Sequence, residues 1–109
     1  MTKKGTKKVK KVIRNGKIAV AISPGFGAGW STWNEISPFE PEVIKMIEEG
    51  RQSEITTEWC LKELGIKGQY CGGADDLQIV WIPQGVSFSI GEYDGSEIIY
   101  RSDDLKYVA

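Results

Sequence analysis

The chain has 109 residues, 40% of them hydrophobic and 27% charged, and a formal charge of −1, which fits one soluble globular domain and leaves no room for a second core. It contains no histidine, which removes Ser-His and Cys-His catalysis, the two-histidine zinc helix and the usual proton shuttle near neutral pH. No apolar run approaches the ~20 residues of a membrane span, and no apolar stretch follows the first lysines as a secretory signal requires, so a cytoplasmic protein without membrane contact is expected.

The charge is unevenly placed. Lys3, Lys4, Lys7, Lys8, Lys10, Lys11, Arg14 and Lys17 precede every acidic residue, because the first acid is Glu35. Residues 18–109 hold six basic against 15 acidic groups, a net of −9. Residues 1–11 read as a flexible lysine-rich tail and 12–109 as one domain. The tail has no aromatic side chains between its lysines to stack on bases, so nucleic acid is not the expected partner. Another polyanion, or the acidic domain itself, remains open to the tail.

Along the domain, "VKKVIR" (9–14) and "KIAVAI" (17–22) flank Asn15-Gly16, a hairpin signal because both central positions of a type I′ turn need positive φ. The second run is apolar from Ile18 to Ile22, as in a central strand covered on both faces. Pro38 and Pro41 break any helix through "SPFEP". Pro41 then opens a helix, "PEVIKMIEE", with Val43, Ile44 and Ile47 inward, Met46 at the edge of that face and Gly50 as its stop. A second helix covers about 53–64, with Ser53 or Thr56 as its cap, Ile55, Trp59, Cys60 and Leu64 inward, and Gly65 closing it. Strands follow at 77–83, 85–93 and 96–102, the last two joined by Asp94-Gly95, and "LKYVA" adds a final one. The order ββααββββ predicts an α+β fold, a mostly antiparallel sheet with two helices packed against it.

The unusual stretch is "PGFGAGWSTWNE" (24–35). It is not a Walker A loop, since no lysine lies between Lys17 and Lys45. It is not a dinucleotide fingerprint, since Trp30 stands where the last glycine belongs. It is not a nucleophile elbow, since Trp33 replaces a glycine and no histidine can activate Ser31. Gly25, Gly27 and Gly29 alternate with Phe26, Ala28 and Trp30, which lets a ligand or another strand approach the backbone and lets N–H groups form an anion nest. Trp30 and Trp33 offer ring faces, and Ser31, Thr32 and Asn34 add short polar groups. The set fits a planar base joined to a phosphate or ribose. It fits a protein hot spot or a plain lid over the core as well.

"YCGGADDL" (70–77) is a second glycine cluster. Gly72, Gly73 and Asp75 join the candidate site if the two loops meet, with Asp75 accepting from a hydroxyl or amine. Asp75-Asp76 and Asp103-Asp104 also read as ordinary turns. Cys60 and Cys71 match no zinc spacing and read as small packing residues in a reducing compartment, with a pairing left open. No metal or cofactor is expected.

"PGFGAGWSTWN", "EWCLKELG" and "YCGGADDLQIVWIPQG" together resemble a family of small uncharacterised phage and bacterial proteins, over most of residues 12–109. The resemblance implies a compact intracellular, phage-encoded domain and brings no catalytic residue. In size and composition the chain also resembles phage anti-defence sponges that sequester host nucleotide signals, which are oligomers and not enzymes. The expected function is therefore non-catalytic binding of a small nucleotide-like or other anionic ligand by a homo-oligomer, with Arg51, Arg101 or the tail supplying positive charge. Two alternatives stand beside it: a protein-interaction inhibitor using the Gly-Trp loop as a hot spot, and a hydrolase working through Asp75 or Asp76 and a metal.

Overall fold

The computed structural model describes residues 10–100 and 107–109. The lysine run up to residue 9, the end of the strand expected at 96–102, Arg101 and Asp103-Asp104 lie outside the described residues. The fold is α+β. Strand β1 (Ile13–Arg14) turns through Asn15 and Gly16, both at positive φ, into β2 (Lys17–Ile22). Helix α1 (Pro41–Glu48) starts on its proline and is followed by Gly50 at φ +70°. A short 3₁₀ turn (Gln52–Glu54) precedes α2 (Thr57–Trp59), which continues as a π turn over Cys60–Leu64 and ends on left-handed Gly65. The Thr56 hydroxyl caps this helix by accepting from the Trp59 amide at 3.1 Å. A second 3₁₀ turn (Ala74–Asp76) leads into β3 (Gln78–Pro83), β4 (Ser87–Tyr93), β5 (Ser96–Tyr100) and β6 (Tyr107–Val108).

The strands divide between two three-stranded antiparallel sheets, ordered β1-β2-β3 and β5-β4-β6. The apolar run of β2 has its reason here. Ala19 and Ala21 face a core shared with Trp30, Val43, Ile44, Met46, Ile55, Cys60 and Leu77. Ile18, Val20 and Ile22 face the other way, into a core with Phe39, Ile82 and Phe88. The first sheet is thus a middle layer, with the helices on one face and the second sheet on the other. One detail differs from the helical pattern. Met46 is buried in the core beside Val43 and Ile44, and Ile47 is the partly covered residue. At the near end of the tail, Lys11 donates to the Val108 carbonyl at 2.9 Å and lies over the Phe39 ring.

Candidate functional site

The Gly-Trp loop leaves the end of β2 and runs along the β4–β5 hairpin. What fixes it is a carboxylate. Glu97 of β5 is 2% exposed. Its Oε1 accepts from the Ser23 amide at 2.9 Å. Its Oε2 accepts from the Trp30 amide at 2.7 Å, the Thr32 amide at 3.1 Å and the Thr32 hydroxyl at 2.5 Å. A buried carboxylate is tolerated only when its lone pairs are met in this way. The hairpin makes further ties. The Gly27 amide donates to the Asp94 carbonyl at 2.6 Å and the Ser96 hydroxyl to the Pro24 carbonyl at 2.8 Å. Glu92 accepts from the Trp33 indole N–H at 3.2 Å and the Gly95 amide at 2.8 Å.

These bonds overturn part of the expected site. The loop does gather N–H groups around an anion, but the anion is Glu97 of the same chain. Trp30 has no exposed surface and packs in the helix-side core, so its ring offers no face to a ligand. Its Nε1 and the Ser31 Oγ are buried without a hydrogen-bond partner. Ala28 is buried, with its carbonyl accepting from Ser23 Oγ at 3.0 Å. Trp33 differs from Trp30: it is 42% exposed and folds over Gly29, where an added Cβ would lie 2.8 Å from Trp33 Cδ1.

The two glycine loops meet. Asn34 exchanges two hydrogen bonds with the Tyr70 backbone, each 2.8 Å. Gln69 accepts from the Glu35 amide at 2.9 Å. A Cβ on Gly73 would sit 2.8 Å from the Ala28 carbonyl oxygen, so glycine lets the loops touch main chain to main chain. Gly72 makes room in the same way for the Tyr70 ring. Trp33 and Tyr70 pack with ring centroids 5.7 Å apart. Asp75 lies beside the start of the Gly-Trp loop. With Asp76, Pro24, Gly25, Gln52, Leu77 and Gln78 it lines a shallow open cleft of about 480 Å³. Among the described residues no three His, Cys, Asp or Glu side chains gather as a metal site, and no helix is long and apolar enough to cross a membrane.

Comparison with protein-family models, curated proteins and solved structures gives no match. The site must be read from its own geometry.

That geometry leaves a large aromatic surface outside. Phe26 is 72% and Tyr93 78% exposed, and their rings meet edge-on at 6.4 Å. Along the same outward face of β4 and β5, Ile98 pairs with Gly91, and the Tyr100 ring lies over Gly91, where a Cβ would strike it. Ile98 and Tyr100 are both exposed. Residue order pointed to Phe26, but not to Tyr93, Ile98, Tyr100 or Glu97. Glu97 did carry a signal: it lies in phase with Ile99 on the inward face of its strand, where an acid requires an internal partner. Tyr93, Ile98 and Tyr100 lie in the opposite phase, on a face that the described residues leave exposed.

Proposed function

We propose that this protein is a non-catalytic binding module that docks a partner protein on the aromatic face formed by Phe26, Tyr93, Ile98 and Tyr100. The observation that carries the reading is the exposure of Phe26 and Tyr93 on an anchored backbone. Phe26 lies between Pro24, whose carbonyl is bonded to Ser96, and Gly27, whose amide is bonded to Asp94. A ring presented on a fixed backbone loses little freedom on binding, and contiguous exposed aromatics are the usual centre of a protein hot spot. The net charge of −9 over residues 18–109 favours a partner with a basic rim.

Nucleotide sequestration has less support. Its stacking ring at Trp30 is buried, and the amides of Trp30 and Thr32 are bonded to Glu97. What remains for it is the exposed Trp33–Tyr70 pair and the resemblance in size and composition to the sponges.

The test compares immobilised full-length protein with a Phe26→Ala/Tyr93→Ala double variant, alongside sedimentation for self-association and nucleotide titrations followed by indole fluorescence. A protein held in fixed stoichiometry by the wild type and lost from the double variant supports the reading. A second copy of this chain is one form that protein can take. Tight nucleotide binding that the double variant retains, with no protein partner, overturns it.

A further inference from the structure

Cys60 and Cys71 come from different elements, the first position of the π turn and the second glycine loop. Their sulfurs lie 3.7 Å apart as free thiols. Cys60 is wholly buried and Cys71 half-buried, so only one member of the pair faces an incoming oxidant. The two sulfurs are in van der Waals contact, and rotation of the side chains must close the gap to the ~2.05 Å of a disulfide. The surroundings favour such a device. Tyr70, next to Cys71, is bound to Asn34, and Gly73 abuts the Ala28 carbonyl. A bond between the two cysteines therefore ties the second helix to the loop that supports Trp33.

We propose that Cys60 and Cys71 form a peroxide-responsive dithiol that closes to an intramolecular disulfide and locks the two glycine loops to the second helix. The sulfur of Cys71, as the thiolate, attacks one oxygen of hydrogen peroxide. The O–O bond breaks, and the departing hydroxide takes up a proton as water, leaving a sulfenic acid on Cys71. The Cys60 sulfur then attacks that sulfenic sulfur. The S–O bond breaks, a second water leaves, and the proton of the Cys60 thiol goes with it. Two thiols and one peroxide give one disulfide and two waters. Burial, aided by the neighbouring Cys71, pushes the Cys60 thiol up to about 12, so Cys60 enters the second step as the thiol, and the half-buried position of Cys71 makes it the sulfur that meets peroxide first. The inference does not depend on the proposed docking function.

The experiment treats the folded, reduced full-length protein with equimolar hydrogen peroxide. The expected product is a monomer lighter by two hydrogen atoms, with a Cys60–Cys71 link in its peptide map. Its thermal midpoint rises by about 10 °C, as expected for closing a short loop in a domain of this size, and reductant reverses the rise. Cys60→Ala is expected to stop at a sulfenic acid on Cys71 that dimedone traps, and Cys71→Ser to show no mass loss. Cys71 oxidised to sulfinic or sulfonic acid without the link overturns the proposal. So does a disulfide between two chains, or a link that forms only in denaturant; the wild-type peptide map decides this even if a variant folds poorly.

Discussion

Glu97 and Ser23 bond to each other in both directions. The Ser23 amide donates to the Glu97 carboxylate at 2.9 Å, and the Glu97 amide donates to the Ser23 carbonyl at 2.9 Å. The pair joins the end of the middle sheet to the edge strand of the second sheet, at the point where the Gly-Trp loop begins. The loop's conformation therefore depends on one side chain some 70 residues away in sequence, at a separation of 74.

Replacing that side chain has a defined cost. Glu97→Gln keeps the volume but turns an NH₂ toward N–H donors, so a buried donor loses its acceptor. The expected loss is about 3 kcal/mol, a fall in thermal midpoint on the order of 10–20 °C. Calorimetry of the two proteins checks it.

The two tryptophans of the loop should separate by experiment. Trp30→Ala empties a core position and should cost about 3–5 kcal/mol. Trp33→Ala removes a partly exposed ring and should cost about 1 kcal/mol. Phe26→Ala should change stability by less than about 0.5 kcal/mol while removing partner binding. Urea unfolding of the three variants distinguishes the ring that holds the fold from the ring offered to a partner.

Two glycines at hairpin turns should behave differently. Gly16 and Gly95 both have positive φ, +75° and +88°. Around Gly16 there is open space, whereas a Cβ on Gly95 would overlap the Ala28 main chain. Gly16→Ala should cost about 1 kcal/mol, the conformational strain alone. Gly95→Ala should cost more than about 3 kcal/mol, because it also pushes the Gly-Trp loop off the hairpin. Equilibrium unfolding measures both.

Alkaline pH should weaken the fold through Cys60. Its thiol is raised in the folded state from the ordinary 9.0 to about 12. The folded protein holds this proton after the unfolded chain has released it. The contribution is full below pH 9 and is lost between 9 and about 12. Tyr107, raised by burial and by the charge of Glu97, adds a loss that begins near pH 10. Under reducing conditions Cys60→Ala should flatten the decline between pH 9 and 10, before Tyr107 contributes. Urea titrations at these two pH values, in both proteins, check the difference in slope.

Much of the fold was legible because its signals are local. Asn15-Gly16 and Asp94-Gly95 demand positive φ, Pro41 and Gly50 bracket a helix, and the run from Ile18 to Ile22 demands cover on two faces. The division into two sheets was not legible, since it rests on long-range pairing such as Phe88 with Tyr107. The site was legible only in part. Glycine and tryptophan announced close packing, and Asn34 and Gly73 do bring the two loops together. Trp30 and Trp33 are the same residue type in one loop, and nothing local decides which is buried. The amides of Trp30 and Thr32 asked for an anion, and only the fold brings Glu97 to them.

The most direct measurement is amide hydrogen exchange at Ser23, Trp30 and Thr32 in the wild type and in Glu97→Gln, with no added ligand. Anchoring by Glu97 predicts strong protection of all three in the wild type, falling by at least about tenfold in the variant, as about 1.4 kcal/mol of lost local stability requires. Exchange of these amides at unprotected rates in the wild type, with protection appearing only when an external anion is added, would contradict it.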